Sequence, residues 1–215
     1  WRDRDEPALR TLLERARALG FTGVLIGNLG HLPLVRGLNF HLYGDYGLNV
    51  FNSRSLAYLK DKELESACVS FELRFAQIRD LKKVLRAEAI VYGRLPLMIT
   101  ENCLVQNETG CRLDRQGPCV PEDGPCRCGQ PNVLVDRTGA AFPLLPAYGH
   151  RTEIQNSKPL YLADRPEHRR LGLAYARLRF TTETAEECVS VVQNYLDAAP
   201  AAGDFTRGLY ERGVE

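Results

Sequence analysis

The chain has 215 residues, enough for one large domain or two small ones with a sizeable buried core. Its hydrophobic content of 44% and charged content of 26% are ordinary for a globular protein, and a formal net charge of +1 gives no sign of a polyanionic partner. No segment approaches the roughly 18 apolar residues that a transmembrane helix needs, and the first residues lack the pattern of a signal peptide. We therefore expect a cytoplasmic protein that does not associate with membranes.

The chain begins with a predicted helix and a predicted strand. Apolar residues from Leu9 to Leu19 recur at the spacing of one helical face, Asp5 can cap the start, and Gly20 suits the end. The apolar run 23–27 is bounded by glycines and is too short for a helix, which indicates a buried strand.

The same alternation continues to about residue 100. Further strands are predicted at 41–49, 67–71 and 89–93, and further helices at 53–61 and 75–85. Apolar strands that alternate with helices indicate parallel βα units. For residues 1–100 we expect about four such units, forming half of a TIM-type (β/α)8 barrel, and we keep a small open sheet as the alternative.

Polar side chains follow the predicted strands. They are Asn28, Asn49, Asn52, Glu72 and Arg94. In a barrel, residues at these positions meet at the face formed by the carboxyl ends of the strands, where such folds have their active sites. We therefore predict that they line a pocket, with the alternative that the asparagines only form turns.

The character of the chain changes after Pro96. We predict that residues 101–215 form a second unit, a Cys-rich loop followed by a smaller α+β extension. A hairpin is predicted at 132–145 and a strand at 173–180. Thr182 can cap a last helix, on whose apolar face Cys188 is predicted to pack.

Seven cysteines are present, and five of them lie between positions 103 and 128. Cys68, within a predicted strand, is expected in the core. The clustered cysteines are Cys103, Cys111, Cys119, Cys126 and Cys128, and His150 follows a little later. Such clustering favours reduced thiols around zinc or an iron–sulfur cluster, because these sites need three or four sulfur or nitrogen ligands. Free thiols are the alternative.

Several motifs resemble those of the collagenase-like peptidase family U32. The motifs follow one another along the chain: Gly47-Leu48-Asn49-Val50-Phe51-Asn52, Val69-Ser70-Phe71-Glu72-Leu73, Tyr92-Gly93-Arg94-Leu95-Pro96-Leu97-Met98 with Cys103 and Cys111, Leu134-x-Asp136-Arg137-x-Gly139, Ile154-x-Asn156-Ser157-x-Pro159-Leu160, and Phe205-Thr206-Arg207-Gly208 with Arg212-Gly213-Val214. Together they extend over most of the chain from about residue 47.

The resemblance implies the second half of a βα barrel, whose first half is missing here. Some family members carry a 4Fe-4S cluster on four cysteines, and Cys103, Cys111 and Cys128 match three of those ligand positions. His150 stands where the fourth is usual, so a zinc site is the alternative. Cys119 or Cys126 could instead supply the fourth ligand.

The resemblance also implies a function. We expect the parent protein to be an iron–sulfur enzyme that hydroxylates an RNA base or a related aromatic substrate without oxygen. Glu72 and Arg94 are the predicted catalytic residues, and Asn28, Asn49 and Asn52 are predicted to bind substrate. The alternatives are a metal-assisted collagenase-like endopeptidase with a peptide substrate, and a zinc-stapled scaffold. In each case we expect this half alone to be inactive and its exposed strand edges to favour a homodimer.

Overall fold

A computed structural model describes residues 3–109 and 130–213 of the chain. Within these ranges the helices are α1 (Glu6–Ala18), α2 (Leu32–Val35), α3 (Ser53–Asp61), α4 (Phe75–Asp80), α5 (Leu104–Thr109) and α6 (Ala185–Asp197). The strands are β1 (Gly23–Ile26), β2 (His41–Gly44), β3 (Leu64–Cys68), β4 (Arg86–Gly93), β5 (Pro96–Thr100), β6 (Asn132–Val135), β7 (Ala141–Ala147), β8 (Arg151–Gln155), β9 (Leu160–Tyr161) and β10 (Tyr175–Leu178).

The larger sheet is built on parallel strands in the order β1-β2-β3-β4-β10, and β9 pairs antiparallel with the end of β4. The first four of these strands are separated by helices, which confirms the mixed α/β class and the parallel βα units. The last parallel strand, β10, comes from the C-terminal part of the chain. The sequence predicted that strand at 173–180 but did not predict its place beside β4.

Three boundaries differ from the sequence prediction. The second strand ends at Gly44 because the side chain of Asp45 accepts a bond from the Tyr46 amide and begins a turn. The third strand is Leu64–Cys68 rather than 67–71, and the chain stays buried beyond its end. Helix α4 ends at Asp80, five residues early, because the Lys83 ammonium group binds the carbonyl oxygen of Ile78 at 2.7 Å and two further carbonyls.

The main hydrophobic core lies around β3 and β4. Its fully buried members include Cys68, as predicted, together with Ile90 and Tyr210. The Tyr210 hydroxyl donates a hydrogen bond to the Ile90 carbonyl at 2.5 Å, and burial raises the pKa of this tyrosine. This bond attaches the C-terminal segment to the parallel sheet. Breaking it would leave a buried hydroxyl without a partner, at a cost of about 1–3 kcal/mol in stability.

The smaller sheet is antiparallel, in the order β5-β8-β7-β6. The predicted hairpin is confirmed as β6 and β7, joined by a turn in which the Asp136 side chain accepts bonds from the Thr138 and Ala140 amides. A second small core packs on this sheet and includes Cys103, Val105 and Ile154. Cys103, the first of the clustered cysteines, is therefore anchored to the smaller sheet.

The last helix begins later than predicted. Its N-cap is Thr184 rather than Thr182, and the predicted apolar face is largely open, with Val189 71% and Leu196 70% exposed while Val191 is buried. Cys188 is half-buried. Across the described ranges, no helix has the length and apolar character that crossing a bilayer requires.

Candidate functional site

The three predicted substrate-binding asparagines lie where the chain leaves β1 and where it enters α3. The Asn28 carboxamide oxygen accepts a bond from the Gly30 amide at 2.7 Å, and that of Asn52 accepts one from the Ser55 amide at 2.9 Å. Asn49 adopts the left-handed backbone conformation with φ of 49°. The structure thus gives all three the turn and cap roles that were the alternative interpretation.

The two predicted catalytic residues lie beyond the carboxyl ends of β3 and β4. Glu72 is half-buried, and its amide donates to the Ser70 hydroxyl at 3.3 Å. Arg94 donates from one guanidinium nitrogen to the carbonyl oxygens of Asn156 and Ser157. Arg94 therefore holds the loop after β8 against the end of β4, and it also lines a cleft.

That cleft, about 430 Å³ in volume, lies between the end of β4 and the start of α6. Tyr92, Arg94 and Glu183 line it, and the Tyr92 hydroxyl donates to the Glu183 carboxylate at 3.2 Å. The other oxygen of Glu183 accepts bonds from two backbone amides, at 2.7 and 3.0 Å. Burial, followed by the Glu183 charge, raises the pKa of Tyr92, so its hydroxyl stays protonated at neutral pH.

A charged cluster that the sequence analysis missed lies across the parallel strands β2, β4 and β10. The guanidinium group of Arg177 in β10 contacts the carboxylates of both Asp45, after β2, and Glu88 in β4. Burial raises the pKa of Glu88 in spite of Arg177, and burial raises the pKa of the neighbouring Cys68 thiol to about 12. Cys68 is therefore a neutral thiol at physiological pH rather than a nucleophile.

A second arginine, Arg179, directly follows β10 and joins the two sheets. It donates to the Glu153 carboxylate at 2.8 Å and to the Gln155 side-chain oxygen at 2.7 Å, both from β8. It also donates to the Arg94 carbonyl at 2.7 Å, and its guanidinium carbon lies 5.6 Å from the centre of the Tyr46 ring. We call these five residues the Arg179 junction.

One sequence signal could have identified both arginines. Arg177 and Arg179 alternate with Ala176 and Leu178 in a predicted strand, so they project from the same face. Their partners come from β2, β4 and β8, and only the sheet order brings those residues together.

The predicted metal ligands fall partly inside the described ranges. Cys103 is buried at 8% exposure and follows β5, while His150 immediately precedes β8 with φ of 61°. The pairing of Thr100 with Thr152 places both residues beyond the same end of these adjacent strands. The remaining predicted ligands, Cys111, Cys119, Cys126 and Cys128, lie outside the described residues.

The donor chemistry fits a thiolate-bound metal. Cys103 and His150 supply sulfur and imidazole nitrogen, which zinc and iron–sulfur centres both accept. In residues 3–109 and 130–213 no group of three or more potential ligands is assembled. A complete site therefore requires cysteines from 111–128.

Comparison with known proteins gives one family. The family model described as "Peptidase family U32" matches residues 1–133. This span contains the first four parallel strands, Glu72, Arg94 and all five clustered cysteines, while His150 lies beyond it. Neither the curated proteins nor the solved structures yield a match.

Proposed function

The chain belongs to peptidase family U32, and on that premise we propose that it carries the metal centre of an iron–sulfur-dependent modification enzyme. The proposed reaction is the oxygen-independent hydroxylation of an RNA base or a related aromatic substrate. Cys103, Cys111, Cys128 and His150 would hold a 4Fe-4S cluster, with Cys119 or Cys126 as alternates. Zinc is the alternative metal.

The observation that supports this proposal is the position of Cys103 and His150. They are 47 positions apart in sequence (150 minus 103), yet the register of β5 and β8 brings both to one end of the smaller sheet. Four more cysteines belong to the sequence between α5 and β6. Two potential ligands at one end of a paired sheet would reduce the entropy that metal binding must overcome.

Within this proposal the chain's own residues bind and orient the substrate. An iron–sulfur centre supplies one-electron chemistry when bound. Glu72, half-buried beyond β3, would move a proton, and Arg94 would shape the cleft it lines with Tyr92. Asn28, Asn49 and Asn52 stand at the same end of the parallel sheet and remain candidates for substrate contacts in addition to their turn roles.

Anaerobic purification followed by iron and sulfide analysis tests the metal centre. We expect about four irons and four sulfides per chain, and visible absorption that Cys103→Ser or Cys128→Ser abolishes. Cys68→Ser is the matched control, because Cys68 lies in the core of the parallel sheet, and it should leave the iron content unchanged. A colourless protein without iron or zinc after anaerobic reconstitution would contradict the proposal. Zinc in place of iron would favour the scaffold or the peptidase.

The family's description supports a second function, a metal-assisted collagenase-like endopeptidase. In this version Glu72 would act as the general base toward a water molecule, because it is half-buried and lies beyond the carboxyl end of β3. Gelatin cleavage by the metal-loaded parent protein, abolished in Glu72→Gln and retained in Glu101→Gln, would support it. Glu101 is the control because it forms an ion pair with Arg151 at 3.0 Å.

We also propose that the parallel sheet is completed by another half barrel. In the part of the chain that the structure describes, β1 and β10 each pair on one side only. Exposed apolar side chains flank both edges, including Phe21 and Leu25 near β1 and Val192 in α6. The partner would be the first half of the barrel or, for this chain alone, a second copy. Sedimentation analysis of the chain by itself should give a dimer, and a stable monomer would count against pairing between copies.

A further inference from the structure

We infer that Arg179 is a positioning residue that fixes the direction of the smaller sheet relative to the carboxyl ends of the parallel strands. The consequence of this positioning for chemistry rests on the metal centre proposed above. The structural role of Arg179 does not rest on that centre, so the structural role and the metal centre can be tested separately.

The contacts of Arg179 connect elements that otherwise belong to different sheets. Its guanidinium group reaches Glu153 and Gln155 on β8, while its own backbone amide donates to the Tyr92 carbonyl of β4 at 2.9 Å. The ring of Tyr46, beyond β2, lies beside the same guanidinium group. One residue thus contacts the smaller sheet, strand β4 of the larger sheet, and the turn that follows β2.

The chemistry of this group suits a rigid connection. The side chains of Arg179 and Glu153 are each 16% exposed, and Gln155 is fully buried. A charge-assisted bond in such surroundings is stronger than a neutral one, and the planar guanidinium fork binds two acceptors at fixed angles. Lysine could supply the charge but not the fork.

Two attachment points on one strand control its direction. Glu153 and Gln155 are two residues apart on the same face of β8, so their separation along the strand is about 7 Å. The other connections at this end reach the residues just after the strand: the Asn156 amide donates to the Leu95 carbonyl at 2.8 Å, and Arg94 donates to the carbonyls of Asn156 and Ser157. These contacts hold the segment after β8, whereas Arg179 holds two side chains of the strand itself.

The length of β8 amplifies any change in tilt. His150 lies five residues before Gln155, a distance of about 16 Å along an extended strand. A tilt of about 10° at the junction would therefore move the end of the smaller sheet that carries Cys103 and His150 by about 3 Å. Misplacement of a reacting group by about 1 Å is enough to reduce a reaction rate about a hundredfold.

The matched control is Arg177. It lies two residues earlier on the same face of the chain and is also paired with carboxylates, but its partners Asp45 and Glu88 belong to the larger sheet alone. Loss of Arg177 should therefore weaken the parallel sheet without releasing β8.

Hydrogen exchange on metal-free protein tests the inference. In Arg179→Met we expect amide exchange in β5 and β8 to accelerate at least about tenfold, with little change in β3. In Arg177→Met we expect faster exchange in β3 and little change in β5 and β8. Arg179→Lys should fall between Arg179→Met and the unchanged protein, and it serves for the test if Arg179→Met does not fold. Unchanged exchange in β5 and β8, or equal acceleration in both methionine variants, would overturn the inference. Metal analysis of the same variants reports separately on the proposed centre.

Discussion

The carbonyl oxygen of Arg179 lies 2.0 Å from the point that a Cβ atom at Gly93 would occupy, and Gly93 has φ of +116°. Gly93→Ala should therefore destabilise the fold by more than about 2 kcal/mol, because the backbone of Arg179 cannot move away without breaking its bond to Tyr92. Urea unfolding measures the change.

Gly139→Ala separates the cost of the positive φ from the cost of the close contact with Arg179. Gly139 also has a positive φ, +84°, but no atom of the described chain lies within 4 Å of the point that its Cβ would occupy. The substitution should cost only about 1 kcal/mol, the conformational penalty alone. Equal losses in the two variants would show that close approach at Gly93 is unimportant.

The thiols that the structure describes should differ in reactivity. Cys68 is fully buried and burial raises the pKa of its thiol to about 12, whereas Cys188 is half-buried on α6. Iodoacetamide labelling at neutral pH, followed by peptide mass analysis, should modify Cys188 in the native protein and Cys68 only after denaturation. Rapid labelling of Cys68 in the native state would contradict the packing of β3.

At the scale of an element, helix α6 offers a comparison between the observed and the predicted cap. The Thr184 hydroxyl accepts from the Glu187 amide at 3.3 Å, and the Glu187 carboxylate accepts from the Thr184 amide at 2.7 Å. Thr184→Ala should lower the free energy of unfolding by about 1 kcal/mol. Thr182→Ala should change it by less than about 0.5 kcal/mol, and chemical denaturation of both variants measures the difference.

The same helix shows why element boundaries resist prediction. Thr182 and Thr184 are chemically equivalent caps, and the choice depends on Glu187, which stands three residues after Thr184 as a capping box requires. For β3, the sequence favoured the apolar 67–71; the Val69 amide still bonds to the Glu88 carbonyl of β4, but the Ser70 amide bonds to the Val50 carbonyl instead. Tertiary pairing, which the sequence does not reveal, determined the end of that strand.

At the scale of the whole molecule, the alternation of apolar strands and helices was sufficient to predict a parallel sheet. It was insufficient to predict the charged cluster, because Arg177 comes from a strand that starts 82 positions after the end of β4 (175 minus 93) and pairs beside it only in the folded chain. Cys103 was predicted as a ligand from cysteine clustering and family resemblance. That it lies at the same end of the smaller sheet as His150 depends on the register of β5 and β8, which no local pattern specifies.

The pH dependence of the whole fold should reflect two carboxylates with opposite effects. A bidentate pair with Arg207 lowers the pKa of Asp164, so this group stabilises the native state above about pH 4 and loses that contribution as the pH falls through its lowered pKa. Burial raises the pKa of Glu88, so its contribution is complete at low pH and declines as the pH rises through that raised value.

Asp164→Asn should therefore lower the free energy of unfolding at pH 7 by about 1 kcal/mol, a modest amount because the ion pair is partly exposed to solvent. The difference from the unchanged protein should shrink as the pH falls through the lowered pKa of Asp164, because this carboxyl then becomes uncharged as well. Asp204→Asn is the control, since its exposed pair with Lys158 should contribute little at any pH. Urea midpoints between about pH 3 and pH 7 measure all three proteins. A constant offset for Asp164→Asn across that range would mean that its effect comes from packing, and that the ionised carboxylate does not attach the C-terminal segment to the sheet.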